Sequence, residues 1–166
     1  MFRSSLLAVA FPAVLVACNG SREPAAPRPA IELSRFATDD ATFAINSGYQ
    51  TATSMVIRDS TAWAGAWLML HEGMTPMPAV PAIDFGREMV ILVAIGEQPN
   101  GGHSVRITSV TPDGDEGLLV NAVHSSAGPG CMVPQVITAP ADIARVPASD
   151  AAVRFVVESA TRDCAT

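Results

Sequence analysis

The hydrophobic pattern is densest between residues 89 and 124. Met-Val-Ile-Leu-Val-Ala-Ile at 89–95 contains no polar position, and Pro99-Asn100-Gly101-Gly102 follows it closely. In residues 103–110, Val105 and Ile107 alternate with polar neighbours; after the acidic stretch 112–117, residues 118–124 alternate again. An unbroken apolar run of this length reads as a central strand covered on both faces, whereas the alternating runs read as strands with one buried face. Together they predict a β-meander. Its first turn falls on Asn100-Gly101, because a type I′ hairpin needs positive φ at two positions and these residues tolerate it best. Asp113-Gly114-Asp115-Glu116-Gly117 carries the acids of a calcium loop without its twelve-residue frame or distal glutamate, so it reads as the second turn.

Weaker periodicities flank this region. Residues 31–36 alternate as a first strand, and residues 49–57 form a second. Asp59-Ser60-Thr61 offers a helix N-cap, after which Trp63, Ala66, Trp67, Leu70 and Met74 fall on one stripe at helical spacing. Gly73 and the prolines at 76, 78 and 81 end that helix, which spans about residues 60–72. Two tryptophans four residues apart beside an apolar sheet read as core rather than as a ligand platform. A loop rich in glycine and proline covers residues 125–131, residues 134–138 add a short strand, and residues 143–146 and 153–157 supply the last strands. The expected fold is α+β, mainly β: a compact antiparallel sheet or sandwich of about seven short strands with one helix.

The N-terminus changes where this domain is placed. Arg3 followed by an apolar stretch at 6–16 is too short to span a bilayer and reads as a signal peptide over residues 1–17. Leu15-Val16-Ala17-Cys18 resembles the lipobox of bacterial lipoproteins, which implies a lipidated Cys18 as the new N-terminus. More than one acyl chain gives stable membrane attachment. Asn19 after the cysteine matches the sorting pattern for the outer membrane of Gram-negative bacteria. Residues 18–30, with three prolines after Cys18, read as a flexible tether, and residues 31–166 as a single globular domain.

Every basic residue is arginine. Beyond the signal segment, nine arginines face sixteen acids, a balance that repels phosphate backbones and excludes nucleic acid as a partner. Export places Cys131 and Cys164 in an oxidising compartment, where a pair in a small domain reads as a disulfide, with two free thiols as the alternative. The ring they would close restricts the unfolded chain by ~3.5 to 4 kcal/mol.

Candidate chemistry is sparse. His71-Glu72 begins like a zincin motif, but Thr75 stands where the second histidine belongs. His103 opens one strand of the meander and His124 closes the next, so the two could lie close together; a metal site there competes with exposed strand-end histidines. Ser125 and Ser126 lack the glycines of a nucleophile elbow. No catalytic residue, metal ligand set or cofactor site is read from the chain.

Taken in order, several of these pieces resemble the C-terminal domain of the protease complex subunit PrcB family. They are Trp63, Trp67 and His71; 82–85; Met89-Val90-Ile91; Gly96, Pro99, Gly101-Gly102, Ser104-Val105 and Ile107; and Gly128-Pro129-Gly130-Cys131 with Gln135 and Pro140. The resemblance covers roughly residues 46–158. The family usually has threonine before the paired glycines and an aromatic residue after them, where this chain has Asn100 and His103. The resemblance implies an exported, non-enzymatic domain that binds and stabilises a partner protein, a secreted protease, through an exposed loop of Gln98, Pro99, Asn100, Gly101, Gly102 and His103. The segment 128–131 is the second contact. Pro99-Asn100-Gly101-Gly102 is also similar to the Pro-x-x-Gly loop of chagasin-like inhibitors, giving a protease inhibitor as the alternative.

Overall fold

The computed structural model describes residues 29–36 and 44–164. Within them the elements run β1 (Ala52–Ile57), α1 (Ser60–Leu70), β2 (Glu88–Ile95), β3 (His103–Asp113), β4 (Gly117–Ala127), β5 (Ala141–Pro147) and β6 (Ala152–Arg162). They form two three-stranded sheets, ordered β1-β2-β5 and β3-β4-β6. All pairings are antiparallel except β4 with β6, which run parallel because the chain passes through β5 in the other sheet between them.

The apolar run behaves as its composition dictates. Met89 to Ala94 are all buried in β2, the central strand of its sheet. Val90, Leu92 and Ala94 point to one side, into a core with Trp63, Trp67, Leu70 and Ile143. Met89, Ile91 and Val93 point to the other, into a core with Ile107, Val110, Val120 and Val146. Strand alternation thus splits one apolar segment between two cores. The result is three layers: helix, first sheet, second sheet. The expected mainly β, α+β architecture is what forms, with six strands rather than about seven among the described residues.

The meander does not form as expected. β3 does not pair with β2, because β1 and β5 occupy both of its edges. Gly96, at φ +75°, turns the chain out of the first sheet, where a side chain would collide with the backbone of Gln50 and Ala52. Neither Asn100 nor Gly101 takes a positive φ, so the Asn-Gly pair lies in a crossover between sheets. The acidic turn does form, closing β3 onto β4 with Gly114 at φ +66°.

The expected first strand is reduced to two bridges that join the sheets at one edge. Ile31 donates to Val110 O of β3 at 2.7 Å, and Ser34 exchanges bonds of 2.9 and 2.8 Å with Arg145 of β5. Beside them, a bulge between Ile107 and Ser109 breaks the β3–β4 register. Asp142 accepts the Ile107 N–H at 2.6 Å and Arg35 Nη1 at 2.7 Å, while Arg35 also donates to the Ile107 carbonyl. A side-chain pair replaces the strand ladder where the sheets part.

In α1, Asp59 accepts the Ala62 N–H at 2.8 Å as the expected N-cap. The helix ends at Leu70 rather than near residue 72, with Gly73 at φ +80° just beyond. Both tryptophans are buried. Their indole N–H groups donate to the carbonyls of Pro81 and Pro78 at 2.9 and 3.0 Å. The proline-rich segment that stops the helix therefore wraps back over it.

Candidate functional site

The six residues expected to form an exposed loop lie under a strap, residues 131–138. Gln98 and Thr138 exchange backbone bonds of 2.7 and 3.1 Å, and Gly101 donates to Pro134 O at 2.8 Å. Thr138 Oγ1 donates to the Asn100 carbonyl at 3.0 Å, and the Asn100 side chain accepts the Gly102 N–H at 2.9 Å. Small residues are needed here for close approach. A methyl group on Gly101 would lie 3.2 Å from three carbons of Pro134, and one on Gly102 would lie 2.9 Å from Val133 and Ala127. Of the six, only Pro99 is exposed; Gly102 is buried and the others are half-buried. The paired glycines act as a seat for the strap rather than as a protruding tip.

What the seat presents is apolar. Met132 is fully exposed, and Val136 and Ile137 are 53% and 66% exposed. Ile45, 63% exposed, precedes Asn46, which bridges Ala139 just beyond the strap. The other end is tied down by the segment at 128–131. Gly128 donates to Arg162 O at 2.9 Å, and the Cys131 and Cys164 sulfurs lie at bonding distance with their Cα atoms 5.5 Å apart. Hydrogen bonds thus hold several large hydrophobic side chains in water on a short, irregular segment, which is uncommon without a contact to make.

The histidines separate into two situations. His71 is buried at the end of α1, its ring centroid 4.1 Å from Trp67 and its Nδ1 donating to the Trp67 carbonyl at 3.0 Å. His103 and His124 do meet. They are diagonal neighbours on β3 and β4, and His103 Nδ1 lies 3.0 Å from His124 Nε2. One nitrogen donates and the other accepts, which requires at least one neutral ring. Burial, and secondarily repulsion from His103, hold the His124 pKa below the ordinary value of 6.5. Among the described residues no group of three or more histidine, cysteine or acidic side chains could hold a metal ion. Cys18 lies outside the described residues. The strap was poorly legible in the sequence: residues 134–138, expected as a short strand, form only the isolated bridge of Thr138 with Gln98, and Met132, Val136 and Ile137 have no period.

Residues 89–147, from β2 to the end of β5, match the family model described as PrcB C-terminal. No match was found among curated proteins or among solved structures.

Proposed function

We propose, from the match of residues 89–147 to the PrcB C-terminal family model, that this chain is a non-enzymatic accessory subunit that docks on a partner protease and stabilises it. The observation carrying this reading is the apolar strap of Met132, Val136 and Ile137, exposed on a segment fixed at Gly101, Gln98 and Thr138. A pre-ordered apolar surface loses little conformational entropy on binding, which suits a stabilising contact. The inhibitor reading is less well served. A loop that enters an active-site cleft has to project, and of Gln98 to His103 only Pro99 is exposed. We further propose that a signal peptide at 1–17, lipidation of Cys18 and a tether to residue 30 place the domain in the cell envelope, at the outer membrane, with Cys131 and Cys164 oxidised there. Deleting the chain and restoring it as wild type or as Met132→Glu/Ile137→Glu tests the docking reading. The abundance of an envelope protease should fall on deletion, return with the wild type and stay low with the variant, at equal levels of the two chains. Unchanged protease levels in all three strains would refute it.

A further inference from the structure

β6 is an unusual edge. It has eleven residues, no proline and an unbroken register with β4, and among the described residues nothing pairs with its other side. Natural edge strands are normally short, bulged or interrupted, because an open row of backbone groups templates further pairing. The free edge begins at Ala152, since Arg58 already donates to the carbonyls of Ser149 and Ala151 at 2.9 Å.

We propose that β6 pairs with β6 of a second copy of this chain, antiparallel about a two-fold axis at Val156, joining two three-stranded sheets into one of six. The register follows from three observations. The Arg162 carbonyl bonds to Gly128 beside β4, so the even-numbered residues of β6 direct their backbone groups inward and the odd-numbered ones direct theirs to the open edge. Two copies related by a two-fold axis keep their faces aligned only when paired residues have the same parity. Among such registers, the one centred on Val156 sets Arg154 opposite Glu158 of the other copy, twice. Centring on Val157 leaves both charges opposite apolar side chains, and centring on Glu158 sets glutamate against glutamate and Arg154 against Arg162.

The same register accounts for an exposed apolar residue. Phe155 packs towards the core between the sheets, whereas Val157, on the same face, is 42% exposed. Pairing sets Phe155 of one copy against Val157 of the other. Arg154 and Glu158 occupy non-hydrogen-bonded positions, where facing side chains are closest. Arg154 meets Asp113 through Nε at 3.0 Å, which leaves the far side of the guanidinium for the second carboxylate.

The test is a charge exchange in the full chain followed by sedimentation, with cysteine cross-linking to fix the register. Arg154→Glu or Glu158→Arg alone should raise the dissociation constant of the dimer about tenfold or more, and the double exchange should restore it. The double variant still carries the Arg154→Glu change that disturbs Asp113, so restoration separates dimer pairing from folding. Val156→Cys should give a disulfide-linked dimer, because Cα atoms at such a pair lie about 4.5 Å apart. Ala152→Cys should not, its two copies being about 26 Å apart at the strand rise per residue. A wild type that stays monomeric at high concentration, a double exchange no better than the singles, or equal cross-linking at 152 and 156 would each overturn the proposal.

Discussion

Asp142 carries the junction between the sheets, and its removal gives a stability loss that can be worked out from its contacts. The carboxylate accepts both contacts from Arg35 Nη1 at 2.7 Å, the Ile107 N–H at 2.6 Å and the Ile143 N–H at 3.0 Å. Ile107 is 1% exposed, so Asp142→Ala leaves its N–H buried without an acceptor, at a cost of about 1 to 3 kcal/mol. The Arg35 side chain is 34% exposed and regains water, so its share is about 1 kcal/mol. The expected loss is about 2 to 4 kcal/mol, which for a domain of this size lowers Tm by about 8 to 16 °C. Asp142→Asn, which keeps an acceptor without the charge, should lose about half as much. In a double-mutant cycle with Arg35→Met, the two losses should fall short of additive by about 1 kcal/mol or more. Thermal and denaturant unfolding of the four forms measure these quantities. A loss below about 0.5 kcal/mol for Asp142→Ala, or strict additivity with Arg35→Met, would refute the claim that this pair takes the place of a strand ladder.

Three further expectations concern the seat, the histidine pair and the anchor. Gly101→Ala should lose about 1 kcal/mol by pressing on Pro134, and Pro134→Ala in the same chain should relieve most of it; equal losses with and without Pro134 would place the strain elsewhere. Because His124 has its pKa lowered in the folded chain, the unfolded chain binds more protons as pH falls below about 6.5, and stability drops there while remaining unaffected above it. His124→Gln should flatten the Tm profile between pH 7.5 and 5, and an unchanged slope would contradict this. Cys18→Ser should move the chain from the membrane to the soluble fraction, and retention at the membrane would put the anchor elsewhere.

Local pattern made some of this fold legible and distance hid the rest. Residues 89–95 declared a strand buried on both faces because no polar side chain interrupts them, and Asp59 declared the helix start because its carboxylate caps the first turn. The partition into two sheets was not legible. Asn100-Gly101 signals a hairpin locally, but β1 and β5 already flank β2, and long-range pairing overrides the turn preference. The second half of β6 was missed because Glu158 to Arg162 lie exposed and carry no apolar period. Arg35 and Asp142, 107 positions apart, meet only through the topology. At the candidate site the glycines were visible, yet their role was inverted: they admit the strap instead of exposing the loop.

The central claim is that the strap is where a partner docks, and site-specific photo-cross-linking in intact cells tests it most directly. A photoreactive amino acid placed at Met132 or Ile137 in the full chain should give one discrete adduct whose second component is a protease, while the same group at Ser54 on the exposed part of β1 should give none. Absence of an adduct from the strap positions, or the same adducts from Ser54, would contradict the account.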